Sequence, residues 1–168
     1  LRPMTKAYSK EIFNYRSNKI VNQFQGWIPN TIEDVNDFID NRISTEIDKE
    51  NTWFQFVILT KADNEIIGDL GIHFISTRDQ LAELGITIDQ KHQRKGYATE
   101  TLKGAINFLF KYLGKHRIVC SIDPRNTVSA AVFKRLGFRK EAHFKKSIIL
   151  FNEWVDDVIY ALLEEDWK

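Results

Sequence analysis

The sequence predicts a mixed α+β domain in which helices flank one central, mostly antiparallel sheet. Its 168 residues are 43% hydrophobic, which is enough apolar material for one buried core. Its apolar periodicity changes along the chain in the order helices, an antiparallel meander and then β-α-β-α-β-β. No repeat, low-complexity stretch or linker interrupts it, so residues 1–168 are expected to form a single domain.

Two helices are predicted before the first long strand. Thr5 is a candidate N-cap for a helix over residues 6–17. Thr31 starts the second helix, and Asp34 three residues later completes a variant of the capping box. Apolar residues then recur at helical spacing, which predicts one inward face: Val35, Phe38, Ile39, Ile43 and Ile47.

Three strands are predicted to follow as a meander. The segment WFQFVILT, residues 53–60, is rich in aromatic and branched side chains. The turn-forming KADNE joins it to IIGDLGIHFI, residues 66–75, so the two strands form a predicted hairpin. AELGITI, residues 82–88, is the third strand.

The second half of the chain alternates helices and strands. A helix that starts near Gly96 has apolar residues along one face, and Gly114 suits its left-handed C-terminal cap. RIVCSI, residues 117–122, is the next strand, and TVSAAVFKRLGF is a short helix that ends at Gly137. Two further strands, joined near 151–153, complete the chain. The apolar helix face comprises Ala98, Leu102, Ala105, Ile106, Leu109, Phe110 and Leu113.

Charge is unevenly distributed although the net charge is only +1. Segments 91–117 and 134–146 are basic, whereas 31–50 and 153–168 are acidic. Positive potential is therefore predicted to gather on one face, with ordinary solvated faces as the alternative. The aromatic residues do not interleave with the cations as in RNA-binding proteins, so no nucleic-acid partner is expected.

Other classes are excluded by composition. The single Cys120 excludes an internal disulfide framework. No signal-peptide pattern and no membrane-spanning apolar stretch are found, so a cytoplasmic protein without a membrane partner is expected. The histidines show no metal-ligand spacing, and no metal is expected: His73, His92, His116 and His143.

The segment QRKGYATE, residues 93–100, has the features of an anion site. The first N–H groups of a helix lack partners and carry the positive end of its dipole. Gly96 and the small Ala98 let a ligand approach the backbone, and Arg94 and Lys95 supply charge. The absence of G-x-x-x-x-G-K-[ST] and G-x-G-x-x-G argues against a nucleotide hydrolase and a dinucleotide fold. An ordinary helix start after a flexible turn is the alternative.

The wider pattern resembles the GNAT N-acetyltransferase superfamily. Residues 93–98, QRKGYA, match its Q/R-x-x-G-x-G/A signature, and NTVSAAVFKRLGF, residues 126–138, resembles its N-x-x-[SA] helix ending in Gly-Phe. The start LRPMT and the tail over 137–167 are similar to the branch of ribosomal-protein N-terminal (Rim-type) acetyltransferases. The resemblance covers nearly the whole chain and implies a GNAT-like sheet with one splayed strand pair.

The resemblance implies acetyl-coenzyme A as cosubstrate. The third strand of the meander would carry a β-bulge and splay from its neighbour, so that Ile86, Thr87 and Ile88 pair with the acetyl-pantetheine arm. An N–H near Thr87 or Ile88 would stabilise the oxyanion. Asn126 would contact the arm, with helix capping as the alternative, and Phe133 would flank the coenzyme. The pyrophosphate would be held by Gln93, Arg94, Lys95, Gly96, Tyr97, Ala98 and Thr99.

The implied reaction transfers acetyl to an amine, which must be neutral to attack. Glu83 is the candidate general base, directly or through water; a solvent-facing strand glutamate is the alternative. The family's usual acid, a tyrosine, is replaced by Phe133. Ser129 is then the candidate hydrogen-bond donor to the leaving thiolate, unless its hydroxyl bonds its own helix backbone.

The acceptor stays open at this point. A protein N-terminus, a polyamine, an aminoglycoside and an amino-acid derivative all fit an amine N-acetyltransferase. Phe24, Trp27, His73 and Phe144 are candidate walls of the acceptor pocket, with ordinary packing as the alternative. A non-catalytic acetyl-coenzyme A sensor or interaction module is the competing function, and a homodimer remains an option.

Overall fold

The computed structural model describes residues 1–168 and contains one seven-stranded sheet in the order β1-β2-β3-β4-β5-β7-β6. The strands are β1 Arg2–Pro3, β2 Thr52–Leu59, β3 Ile66–Ser76, β4 Leu81–Ile88, β5 Arg117–Ile122, β6 Arg139–Leu150 and β7 Glu153–Leu163. The helices are α1 Ser9–Arg16, α2 Ile32–Asn41, α3 Tyr97–Asn107 and α4 Thr127–Arg135. Every pair is antiparallel except β4–β5, which confirms the predicted mixed α+β class.

The first helix is shorter than predicted. Residues 6–8 form a 3₁₀ turn, and α1 begins only at Ser9. Thr5 is the N-cap residue of this turn, as predicted, but its side chain forms no capping hydrogen bond. The capping box of α2 is confirmed, because the Asp34 N–H donates to the Thr31 hydroxyl and the Thr31 N–H donates to the Asp34 carboxylate.

The predicted inward face of α2 extends too far along the chain. The helix ends at Asn41, and the N–H of Ser44 already donates to the carbonyl of Trp53 in β2. Ile43 and Ile47 therefore lie beyond the helix; Ile43 still packs against the apolar cluster that contains Val35, whereas Ile47 is exposed. Because the backbone of Ser44 is hydrogen-bonded to β2, the chain leaves the helix before this position, although apolar residues continue at helical spacing in the sequence.

The predicted glycine positions are confirmed where the backbone needs positive φ. α3 continues as a π-helical segment, Phe108–Tyr112, and Gly114 follows this segment with φ 60°. Gly137 follows α4 with φ 93°. Phe151 and Asn152 both have positive φ and form the tight turn between β6 and β7, the pattern of a type I′ hairpin.

The two faces of the sheet carry different helices. α3 and α4 pack on the face that holds the main core, through side chains such as Leu102 and Phe133. α1 and α2 pack on the opposite face around a smaller cluster: Met4, Ile12, Tyr15, Val35 and Val57. The length and apolarity needed to cross a bilayer are found in none of the helices.

A buried ion pair fixes α1 to the sheet. Arg16 donates from Nε to the carboxylate of Asp69 in β3 at 2.8 Å, and the Tyr15 hydroxyl donates to the same carboxylate at 2.8 Å. Burial raises the pKa of Tyr15, and the adjacent Asp69 adds to this effect, so the phenol stays protonated as a donor. Tyr15 and Arg16 of α1 thereby cover the sheet at Asp69.

β4 and β5 part after three paired rows. Their register runs from Leu81 opposite Arg117 to Glu83 opposite Val119. Both strands continue beyond these rows without pairing to each other. The splayed strand pair is thus present. The expected β-bulge in the third strand of the meander is wrong, because the β3–β4 register is continuous along β4 and the extra residue is Ile75 in β3. Divergence of the strands alone opens the gap.

Candidate functional site

A cleft of about 70 Å³ occupies the gap between the diverging strands. Its walls come from four parts of the chain that are distant in sequence. The lining residues are Phe24 and Gln25 of the loop before α2, 84–86 of β4, 120–123 around the end of β5, and Asn126, Ser129 and Phe133 of α4.

The backbone of β4 faces this cleft at every second residue. The Asp89 N–H donates to the Ile67 carbonyl in β3 at 2.8 Å. Successive strand residues direct their backbone groups to opposite sides, so those of Ile86 and Ile88 point to the cleft side of β4. Two side-chain hydrogen bonds on that side support this orientation. The Ile88 carbonyl accepts from Gln93 Nε2 at 3.0 Å, and the Ile86 carbonyl accepts from Gln25 Nε2 at 3.4 Å. Both strand residues can therefore offer an N–H to a ligand.

Thr87 differs from its two neighbours. It pairs with Asp69 across β3–β4, and its backbone groups face β3 by the same alternation. Its side chain is buried, and its Oγ1 has no hydrogen-bond partner. The structure therefore brings Ile86 to the cleft and directs the backbone of Ile88 to the same side of β4, but not the main chain of Thr87.

The start of α3 leaves several amides unpaired. Gly96 is its N-cap residue with φ 88°, and no side chain caps the helix. The first helical bond runs from the Glu100 N–H to the Gly96 carbonyl at 3.0 Å. The N–H groups of Tyr97, Ala98 and Thr99 thus have no partner, and the space beside Gly96 is open. This end of the helix can accept an anion on its main-chain donors.

Cations surround the same end of the molecule. Arg94 and Lys95 are exposed and form no ion pair, and the same holds for Lys134 and Arg135 at the end of α4. Because α3 and α4 pack on the same sheet face, these side chains contribute positive potential on one side of the protein.

Three residues of α4 face the cleft at successive turns. Asn126 caps the helix, since its Oδ1 accepts from the Ser129 N–H at 3.1 Å, and its Nδ2 has no partner. The Ser129 hydroxyl forms no hydrogen bond within the chain, so it is available to a ligand. Phe133 is 2% exposed and packs edge-to-face on Phe138 at 5.0 Å. The cleft wall therefore has a serine hydroxyl but no phenol.

Glu83 is the last residue of β4 that pairs with β5, and it precedes Leu84, the first β4 residue that lines the cleft. Its Oε2 is 3.4 Å from Nδ1 of His73 directly across β3–β4. The His73 ring stacks on Trp53, with ring centroids 4.9 Å apart. Burial raises the pKa of Glu83; the hydrogen bond to His73 opposes this effect, and the charge of Asp157 adds to it. A carboxylate with increased proton affinity is suited to general base work near neutral pH.

Sequence reasoning missed Asp157 and Ser121. The Ser121 hydroxyl donates to Asp157 Oδ1 at 2.7 Å. These two side chains connect the end of β5 to the middle of β7 beside the cleft, and Asp157 brings a second acid near Glu83. The only signal was the pair of acids in WVDDVIY, where strand alternation directs one of two neighbours toward the site.

The four candidate wall residues lie in different places. Phe24 lines the cleft, and His73 lies beside Glu83. Trp27 stacks on Phe38 of α2 at 4.1 Å, which places it in the smaller core rather than in the cleft. Phe144 is 51% exposed on β6.

No group of three His, Cys, Asp or Glu side chains is arranged to hold a metal.

The comparisons with known proteins agree with this geometry. The family model of the acetyltransferase (GNAT) domain matches residues 1–139. The chain is 30% identical over 160 residues to the uncharacterized N-acetyltransferase YnaD of Bacillus subtilis (strain 168), which covers 94% of this chain and 88% of that protein. It is 32% identical over 123 residues to the ribosomal protein uS5-alanine N-acetyltransferase of Escherichia coli (strain K12), covering 73% and 63%.

Two solved structures have the same fold. An acetyltransferase (GNAT family) from Bacillus anthracis superposes with a TM-score of 0.85 at 28% identity, over 98% of this chain and 93% of that one. A spermidine N-acetyltransferase from Vibrio cholerae, solved in complex with CoA and spermine, superposes with a TM-score of 0.80 at 19% identity, over 98% and 95%. The second likeness concerns the fold alone.

Proposed function

The chain belongs to the GNAT acetyltransferase family and is an acyltransferase, and from that premise we propose that it transfers acetyl from acetyl-coenzyme A to a primary amine. The cleft between β4 and β5 is the observation that carries the proposal. Ile86 and Ser129 line it, and Glu83 is the β4 residue after which its two strands part. A non-catalytic module is set aside, because the relatives are named as N-acetyltransferases.

The coenzyme is proposed to bind from the helix side of the cleft. The amides from Tyr97 to Thr99 and the free cations nearby suit a pyrophosphate, and Gly96 leaves room for it. The pantetheine arm then lies in the cleft, where Ile86 and Ile88 present backbone groups and Asn126 presents its amide. Phe133 supplies an apolar wall for the arm.

The reaction is proposed to proceed by direct attack. A free α-amino group has a pKa of about 8 and an alkylamine about 10.4, so neutralising them at pH 7 costs about 1.4 and 4.6 kcal/mol. Glu83 accepts the proton that the ammonium loses, directly or through water. The amine nitrogen then forms a bond to the thioester carbon, and the carbonyl oxygen becomes an oxyanion near the Ile86 N–H. When the oxyanion reverts to a carbonyl and the C–S bond breaks, the electron pair stays on sulfur as thiolate. The attacking nitrogen then loses its second proton, which the thiolate takes up to give the neutral amide and the coenzyme A thiol.

An acceptor screen tests the proposed function. The purified protein and acetyl-coenzyme A are incubated with an alanyl peptide, spermidine, an aminoglycoside or a lysine derivative, and released thiol is followed with a thiol-reactive dye. We expect one amine class to accelerate thiol release, with the acetylated amine identified by mass spectrometry. Thiol release that no amine accelerates would contradict the proposal.

Ser129→Ala is expected to lower kcat about tenfold while leaving the KM for acetyl-coenzyme A unchanged, because a hydrogen bond to a charged group contributes roughly 1.5–3 kcal/mol. The hydroxyl is proposed to bond the thiolate only after C–S cleavage begins. Thr127→Ala, two residues earlier on the exposed side of α4, is the matched control. Equal kcat values for the two variants would remove Ser129 from the mechanism.

Assembly and location stay predictions. A second copy would pack on the hairpin formed by β6 and β7, because β6 is an edge strand and the hairpin has exposed apolar side chains. These are Phe144, Ile148, Ile149, Phe151 and Trp154. A cytoplasmic location and the absence of a nucleic-acid partner rest on composition alone.

A further inference from the structure

A buried amide oxygen without a partner lies on the sheet face that carries Glu83. Gln55 of β2 is only 8% exposed, and its Oε1 is fully shielded without a hydrogen-bond partner. Its Nε2 also forms no hydrogen bond within the chain. Leaving a buried polar group unpaired costs about 1–3 kcal/mol, so such a group in a folded protein calls for an explanation.

The surroundings of Gln55 open toward the cleft. Gln55, Gly71 and Gly85 are directly opposite one another in β2, β3 and β4. The Gln55 amide lies over Gly71, since a Cβ on that glycine would be 2.7 Å from Nε2. A Cβ on Gly85 would meet nothing within 4 Å, and Gly85 also lines the cleft. The two glycines thus leave a strip of the sheet face without side chains of its own between the amide and the cleft, here called the trough.

Both sides of this trough are closed. On one side the next row consists of Trp53, His73 and Glu83, which contact one another. On the other side Asp69 is covered by Arg16 of α1. A molecule that reaches the cleft along the trough therefore passes Gln55 beside the carboxylate proposed as the base. Neighbouring strands are about 4.8 Å apart, so the backbones of Gln55 and Gly85 lie roughly 10 Å apart across two strand spacings, and the glutamine side chain spans part of that distance.

We propose that Gln55 binds the acceptor through an amide next to the reacting amine, so that the acceptor is an α-amino acyl amide such as a peptide N-terminus. A primary amide offers one acceptor oxygen and an N–H donor, and a peptide group offers the complementary pair. A polyamine offers only N–H donors to this position and leaves Nε2 unpaired. The inference rests on the proposed amine acetylation and deepens it.

Gln55→Leu tests the inference with two acceptors that share a branched carbon next to the amine. One is an alanyl-peptide amide; the other is sec-butylamine, which lacks the amide. We expect kcat/KM for the peptide amide to fall about tenfold, because two hydrogen bonds of roughly 0.5–1.5 kcal/mol are lost. The kcat/KM for sec-butylamine and the KM for acetyl-coenzyme A should stay unchanged, which also shows that the variant is folded.

The outcomes separate this inference from the proposed function. A wild-type protein that acetylates amines, but whose preference for the peptide amide over sec-butylamine is the same in Gln55→Leu, overturns the role of Gln55 alone. A wild-type protein that acetylates polyamines and no peptide amide does the same. A wild-type protein that acetylates no amine overturns the proposed function, and the acceptor inference fails with it.

Discussion

Gly96→Glu is expected to abolish coenzyme A binding, with an increase in Kd of at least about a hundredfold, because juxtaposing like charges costs several kcal/mol. Gly96 stands at the N-terminus of α3 with open space beside its Cα, and a glutamate there would occupy the place proposed for the pyrophosphate. Its carboxylate would also compete for the amides of Tyr97 to Thr99. Isothermal titration calorimetry with coenzyme A measures the change.

Two variants separate the causes of this loss. Gly96→Ala imposes a side chain on a backbone with φ 88° without adding charge. It is expected to lower stability by about 1–2 kcal/mol and to retain most of the affinity. Gly104→Glu adds the same charge at an exposed position in the middle of α3, where no heavy atom would contact the new Cβ, and should bind normally. Unchanged affinity in Gly96→Glu would refute the proposed coenzyme site.

The parts of the fold and of the site that the sequence predicts well are those that depend on residues close together in the chain. The helix start after Gly96 and the capping box at Thr31 involve residues three or four positions apart, and the structure contains both. The turn at Phe151 and Asn152 is equally local. Local geometry is dictated by φ, helical hydrogen bonding and capping, which short sequence patterns report directly.

The register of the sheet could not be predicted in the same way. A β-bulge was expected in β4, but the extra residue is Ile75 in β3, because the position of an unpaired residue depends on how two strands match along their whole length. The same dependence decides that the backbones of Ile86 and Ile88, but not that of Thr87, point to the cleft side of β4. A shift of one residue would have exchanged their roles.

Long-range proximity also hid several polar residues of the site. Gln55 is one polar residue in an apolar strand, and only the sheet register shows that glycines, without side chains, stand between its amide and the cleft. Asp157 lies more than seventy residues from Glu83 in sequence, although its charge raises the Glu83 pKa. Neither position follows a motif, so the sheet order had to be known first.

Stability should not decline when the carboxyl group of Glu83 is replaced by an amide. A carboxyl group whose pKa is raised by folding binds protons more tightly in the folded state than in the unfolded state. Above that folded-state pKa its ionisation therefore favours unfolding. Glu83→Gln removes this penalty and is expected to melt at the same temperature as the wild type or higher at neutral pH, so a loss of activity cannot be attributed to unfolding.

Glu83→Gln is expected to lower kcat by about 10²–10⁴-fold, the usual contribution of a general base. The carboxylate form is the active one, so wild-type kcat/KM should fall on the acidic side as Glu83 becomes protonated, at a pH above that of an ordinary glutamate because its pKa is raised. The variant should lack this acidic limb while keeping the limb due to the acceptor amine. Glu65→Gln is the matched control, since Glu65 forms a similar pair with His92, at 3.2 Å, outside the cleft. A Glu83→Gln variant with the wild-type acidic limb and kcat would assign the proton to another group, because no step of the proposed reaction would then depend on this carboxylate.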